Sequence, residues 1–206
     1  FESESFADYE DHVYEEPLEC MKKVIHNDEE LSELTELCKN IWKDKARYFM
    51  TFEEYLPIAV KRLSDGESPK EVFDTVSFFS EGFAKVVLKE KCNFINQNGE
   101  IAFPNQWYDN AGDFREGFAR VKLNGKLNFI NREGEILSPN QWFNNVDSFS
   151  EGFANVYLNG KWNFINRKGE ILSPNQWFYN ISSFREGFAM VYLYDKGYNF
   201  INQNGE

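Results

Sequence analysis

A six-residue string, Phe-Ser/Arg-Glu-Gly-Phe-Ala, begins at Phe79, Phe114, Phe149 and Phe184, so four copies stand 35 residues apart. A strict period of this length means one supersecondary unit repeated in tandem, because a single unit cannot bury its apolar face alone. The period by itself would also suit helical repeats, which run to about 33 or 34 residues. Local chemistry decides the matter: each copy carries Glu-Gly, a second turn and a third turn ending in Gly-Glu, with alternating apolar residues between them. That pattern builds strands and breaks helices.

In the second copy, residues 118 to 123 alternate, Asn124-Gly125 is a two-residue hairpin signal, and Lys126 to Asn131 returns as the next strand. Residues 132 to 134 then turn, Glu135 to Leu137 start a third strand, and Pro139 ends it. The predicted unit is a three-stranded antiparallel meander followed by a Pro-Asn-Gln-Trp corner. The third copy repeats it with Asn159-Gly160, whereas Lys89-Glu90 in the first and Asp195-Lys196-Gly197 in the fourth predict hairpin tips of a different shape. The repeats are bounded at 79–113, 114–148, 149–183 and 184–206, the last cut short.

Residues 17 to 76 read as a helical region. Asn27 can cap a helix with the stripe Leu31, Leu34, Cys38, Ile41, Trp42 and Phe49. Thr51 with Glu54, and Ser68 with Glu71 behind Pro69, are capping-box signatures; Phe52, Leu56, Ala59, Val60 and Leu63 follow the first as an apolar stripe. Residues 1 to 16 form an acidic leader. The fold class expected is therefore α+β: a small N-terminal helical region, then antiparallel β-meander repeats over 77–206. Three strands per unit fall short of a four-stranded propeller blade, which favours an open superhelical array over a partial propeller.

Charge follows the same division. Of the formal net charge of -12, residues 1 to 76 hold 20 acidic against 9 basic side chains, and the rest of the chain 14 against 13. An acidic field repels phosphate, so nucleic acid and membrane headgroups are not expected partners of that end. No run of 18 apolar residues occurs. The three cysteines are widely spaced with no C-x-x-C, which argues against a disulfide framework or a zinc site and suits the cytoplasm. The chain starts at Phe and not Met, so a removed signal peptide stays open.

The string NGKWNFINRKGE, preceded by F-x-E-G-F-A-x-V, resembles the bacterial WG-repeat family, whose module carries an EG-aromatic strand, an NGK turn and a Trp-Gly pair. The resemblance covers Phe79 to Glu206. It implies a β-rich repeat used for interaction, with no reaction and no cofactor to carry over. Where the family's glycine would stand this chain has Asn93, Asn128, Asn163 and Asn199, a residue tolerant of unusual backbone angles.

Chemistry is sparse. His12 and His26 both lie outside the repeats, no phosphate-cradling glycine motif occurs, and Glu81, Glu116, Glu151 and Glu186 fall at one equivalent place. A catalytic site is single and asymmetric, so each glutamate is expected to accept turn amides beside its own glycine. Comparing copies, Ala84, Ala119, Ala154 and Ala189 never change, and the Val and Leu that follow hold too. The opposite strand face varies, reading Lys85, Arg120, Asn155, Met190 and then Val87, Lys122, Tyr157, Tyr192, and is the expected partner-binding surface.

Trp107, Trp142 and Trp177, each behind Asn-Gln, complete the candidates. They fit structural cement, with the neighbouring amides satisfying corner backbone groups, and they also fit a row of aromatic platforms for sugar rings. The function expected is non-catalytic binding of another protein, as an adaptor or regulatory subunit of a bacterial complex. Two rivals stay open: a cell-wall or glycan-binding module, and an acidic inhibitor that mimics nucleic acid.

Overall fold

The computed structural model describes residues 50–206. The leader, both histidines and the stripe from Leu31 to Phe49 lie outside the described residues. The chain divides into two compact units, residues 1–55 and 56–206. Helix α1 spans Phe52–Ser64 and α2 spans Pro69–Val72. The first capping box forms: the Thr51 amide donates to Glu54 Oε2 at 2.7 Å and the Glu54 amide to Thr51 Oγ1 at 3.3 Å. At α2 the Ser68 amide donates to Glu71 Oε2 at 3.3 Å. Ala59 is buried as expected, but the rest of the buried stripe of α1 differs, since Val60 is 46% exposed while Tyr55 and Arg62 are buried. Arg62 reaches Glu67 Oε2 through Nε at 2.8 Å and through Nη2 at 2.7 Å, so the charge enters the interior already paired.

Four three-stranded antiparallel sheets follow: β1 (Thr75–Ser80), β2 (Phe83–Leu88) and β3 (Lys91–Ile95); β4 (Asn110–Ala111), β5 (Ala119–Leu123) and β6 (Lys126–Ile130); β7 (Asn145–Val146), β8 (Phe153–Leu158) and β9 (Lys161–Asn166); β10 (Asn180–Ile181), β11 (Phe188–Leu193) and β12 (Gly197–Asn202). They do not close into a barrel. The expected pair on either side of the second turn is present, with Ala119 opposite Ile130 and Leu123 opposite Lys126.

The third strand is not where the sequence put it. Residues 135 to 137 make a single bridge, Ile130 to Ile136, and the true third strand of each sheet is the one before Glu-Gly, six residues long in β1 and two in β4, β7 and β10. The Gly-Glu turn is held by a side chain instead: Asn131 Oδ1 accepts from the amides of Glu133 and Glu135 and so takes donors that a ladder would have used. One consequence is that the fourth sheet has all three strands, although the string-based repeat bounds cut it short.

Both hairpin types need left-handed backbone at two successive residues. Glu116 and Gly117 have φ of 52° and 87°, and Asn124 and Gly125 have 51° and 77°. Lys89 and Glu90 adopt the same geometry, at 49° and 65°, so the first copy's tip keeps the shape of its neighbours despite lacking Asn-Gly. The fourth tip does differ: Leu193 pairs with Gly197 across a three-residue loop.

Each sheet has two packing faces, and these stack in order along the array. The Ala-Val face of a repeat lies on the opposite face of the repeat before it: Ala111, Ala119, Val121 and Ile130 share one core cluster with Cys92 and Phe94. Phe114 sits in that seam, its ring 4.6 Å from Phe83 and 5.0 Å from Phe94. Phe149 repeats the arrangement against Phe118 and Phe129, and Phe184 against Phe153 and Phe164. The period of the sequence is thus the period of one apolar seam, and burying one such ring is worth roughly 1.5 to 3 kcal/mol.

Candidate functional site

The four Glu-Gly turns form a ladder. Glu81 Oε1 accepts from the Glu116 amide at 2.7 Å, and Oε2 accepts from the Gly117 amide at 2.8 Å. Glu116 treats Glu151 and Gly152 in the same way, and Glu151 treats Glu186 and Gly187. Contrary to expectation, the donors are not the amides beside a glutamate's own glycine but those of the same turn one repeat later. Two successive left-handed residues aim both amides outward as a two-pronged anion cradle. Arg132 adds a 3.0 Å bond to Glu81, and Arg167 one of 2.9 Å to Glu116.

Burial pushes the Glu81 carboxyl up, but the Arg132 guanidinium and the Gly117 and Glu116 amides outweigh it and hold the group below the usual carboxylate range. Glu116 is likewise held low: burial opposes, and the Gly152 amide, Arg167 and the Glu151 amide prevail.

The variable positions do not share one outer surface. They lie on the strand face that the following repeat covers, and the first set answers to that neighbour. Arg120 Nη1 donates to the Val146 carbonyl at 3.3 Å. Asn155 is buried, donating to Asp147 at 3.0 Å and to Ser183 Oγ at 3.4 Å. Lys85 is half-buried. Much of the variation is therefore matching across a seam, which a comparison of single positions does not reveal. Met190 is exposed, having no successor among the described residues. In the second set Lys122 is exposed, while Val87, Tyr157 and Tyr192 are half-buried. Tyr157 lies against Trp162 at 4.9 Å and Tyr192 against Tyr198 at 4.8 Å.

The three tryptophans of the corners are half-buried. Trp142 packs on the cluster around Phe114, and Trp177 on the cluster around Phe149. This is the geometry of cement between units, not of open platforms. The amide that ties the corner is not the expected one either. Asn128, fully buried, donates to the carbonyls of Ser138 at 2.8 Å and Gln141 at 3.1 Å, and accepts from the Phe129 amide at 2.9 Å. Asn163 does the same with Ser173, Gln176 and Phe164. These asparagines have ordinary strand angles, so hydrogen bonding and not backbone tolerance explains the residue that replaces glycine.

One surface feature belongs to the fourth repeat alone. In the first three repeats the second turn is pinned by a side chain: Asp74 accepts from the Lys89 amide at 2.6 Å, Asp109 from Asn124 at 2.7 Å and Asn144 from Asn159 at 3.3 Å. At Asp109 the Lys91 ammonium and then that amide hold the carboxyl below its ordinary value. In the fourth repeat both positions are tyrosine: Tyr179 and Tyr194 lie 5.8 Å apart, and both are exposed. With Gln176, Trp177, Lys161 and Lys196 they line a cleft of about 280 Å³. Lys161 Nζ stands 5.1 Å from the centre of the Tyr179 ring. Of the sequence candidates only Trp177 lines this cleft; the pair Tyr179–Tyr194 stands in the sequence where the other copies have Asp74 and Lys89, Asp109 and Asn124, and Asn144 and Asn159.

Among the described residues no group of three or more His, Cys, Asp or Glu side chains is placed to hold a metal ion, and no helix is long and apolar enough to cross a membrane.

No curated protein matched the chain. Among solved structures it is similar to KlHsv2 with loop 6CD replaced by a Gly-Ser linker, at 10% identity and a TM-score of 0.41, over 64% of this chain and 50% of that one. It is also similar to the WD40 β-propeller domain of Doa1, at 14% identity and a TM-score of 0.32, over 65% and 51%. A protein of unknown function from Bacteroides caccae gives 15% identity and a TM-score of 0.29, over 63% and 56%. The chain thus spans about half the length of these structures. The family model described as "WG containing repeat" matches residues 71–92, 94–126, 129–162 and 164–196, more than half of the chain, and the chain belongs to that family.

Proposed function

We propose that the chain is a non-catalytic protein-binding repeat module, an adaptor or accessory subunit, that holds an extended segment of its partner in the cleft of the fourth repeat. The observation that carries this reading is the Tyr179–Tyr194 pair, which stands where the other repeats keep a turn-pinning hydrogen bond. Giving up a structural bond at one copy only, in favour of exposed aromatic rings, is economical if those rings meet something. Tyrosines offer large contact area at low entropic cost, and Gln176, Lys161 and Lys196 offer donors for a carbonyl or carboxylate beside it. The non-catalytic part of the reading is supported by Glu81, Glu116 and Glu151, the recurring carboxylates of the repeats, which are occupied as acceptors of turn amides.

The test is affinity capture with the immobilised protein and identification of the retained partner, followed by titration of that partner against Tyr179→Asn/Tyr194→Asn. The double variant restores the residue type of the third repeat and keeps the fold. Affinity at least about tenfold weaker is expected, the size of a modest hot spot; unchanged affinity overturns the assignment to the cleft.

A further inference from the structure

A lysine stands at the same place in the first three repeats, and what faces it changes. The antiparallel bridges Cys92–Tyr108, Leu127–Phe143 and Trp162–Phe178 set the residue before the first member beside the residue after the second. Lys91 thereby meets Asp109, Nζ to Oδ1 at 2.8 Å. Lys126 stands opposite Asn144, and Lys161 opposite Tyr179. The carboxylate of the first seam has become an amide at the second and a phenol ring at the third. Lys161 Nζ lies 5.1 Å from the centre of that ring and forms no ion pair with a carboxylate of the described residues.

Lys196 brings a second ammonium to the same cleft, from the three-residue tip that the fourth hairpin has in place of two residues. Among the described residues it is unpaired as well, Asp195 beside it included. The cleft therefore holds two cations against the one carboxylate of Asp195, with Tyr179, Tyr194 and Trp177 as aromatic walls. Beyond residue 76 the chain is close to neutral, with 14 acidic side chains against 13 basic, and charges farther off than about 8 Å are screened at physiological salt. The local positive surplus is what an entering group meets.

The opening lies at the seam between the third and fourth repeats, where the third supplies Lys161. The tip residues Asn124 and Asn159 are exposed although a sheet follows each, and Asn144, the counterpart of Tyr179, is exposed with a sheet on both sides. Exposure of Tyr179 and Tyr194 thus goes with their position in the repeat.

Resting on the reading of this cleft as a peptide site, we infer that its occupant is acidic: an Asp or Glu side chain pairs with Lys161 and Lys196 while a neighbouring side chain lies on Tyr179 and Tyr194. The entering carboxylate takes the role that Asp109 has beside Lys91 in the first seam. The tyrosine hydroxyls and the Gln176 amide can donate to the same group. An exposed ion pair adds little alone, so recognition needs both lysines and the aromatic contact together.

The test uses the whole chain, immobilised, and short peptides blocked at both ends and randomised except for a central Glu, Gln or Lys. The Glu pool should be retained about tenfold more strongly than the Gln pool, the size two exposed ion pairs can reach together, and the Lys pool least. Lys161→Gln/Lys196→Gln should bring the Glu pool down to the Gln pool, and Tyr179→Asn/Tyr194→Asn should release every pool. The four substituted side chains are exposed, and an unchanged circular dichroism spectrum checks each fold. Equal retention of the pools, lost in the tyrosine variant, overturns the acidic occupant and leaves the cleft reading standing. Preference for Glu that survives the lysine changes overturns it too. Retention that the tyrosine variant does not disturb, or no retention of any pool, overturns both.

Discussion

Glu81 and Glu116 are joined by a 2.7 Å bond from the amide of the second to the carboxylate of the first, and Glu116 in turn accepts the amide of Glu151. Glu116 and Glu151 are therefore each donor through the backbone and acceptor through the side chain. Glu116→Ala removes the acceptor of two amides and of Arg167. Because the site is partly open to water, which can replace the lost partner, the cost should be about 1 to 2 kcal/mol, toward the lower end of the range for bonds to a charged group. Urea unfolding should show a lower midpoint with an unchanged slope.

The ladder also sets an acid limit. The folded Glu81 and Glu116 carboxyls are held below their unfolded values, so the unfolded chain binds protons first as pH falls. Their contribution is complete above the unfolded value of about 4.3 and is lost as pH drops through the lower, folded values. Melting temperature should fall as the pH is lowered from 5 to 3. Glu81→Gln/Glu116→Gln should start lower at neutral pH and show a shallower fall.

Asn128 offers a test of position against identity. It is fully buried with bonds to three backbone partners, so Asn128→Ala should cost about 3 kcal/mol by leaving carbonyls of the corner without donors. Asn199, its counterpart in the fourth sheet, is exposed, and among the described residues its side chain accepts from the Phe200 amide at 2.9 Å. Its replacement by alanine should stay within about 0.5 kcal/mol, as surface changes do. Equal losses in thermal denaturation would contradict the assigned role.

These cases show what the sequence can convey. The period, the alternation and the turn residues were legible, because each is a local signal whose spacing survives without coordinates: Glu116-Gly117 and Asn124-Gly125 fall where two left-handed residues are required. The invariant Ala-Val rows were legible as a packing face, and Ala84, Ala119, Ala154 and Ala189 are buried to within 1%. What could not be read was the partner of each residue across the repeat boundary. Glu81 and Glu116 are 35 residues apart, and nothing local distinguishes a glutamate that serves its own turn from one that serves the next. The third strand was misplaced for a related reason. The apolar run Ile136-Leu137 has the pattern of a strand, but Asn131 takes the neighbouring amides, and the two-residue strand Asn110–Ala111 is too short to carry a pattern at all.

The seam phenylalanines give the last prediction. Phe149 is 1% exposed and joins the second repeat to the third, while Phe79 has the same sequence context and is 51% exposed. Phe149→Ala should cost about 3 to 5 kcal/mol, the loss typical of a buried ring, and Phe79→Ala no more than about 0.5 kcal/mol. The larger effect should also change the form of unfolding. In an array whose stability sums over units and the seams between them, weakening a central seam lets the two halves unfold separately. Calorimetry of Phe149→Ala should therefore give a broadened or divided transition, with a van't Hoff enthalpy below the calorimetric one. A single sharp transition at a merely lower temperature would mean that the seams are coupled more strongly than one ring can undo.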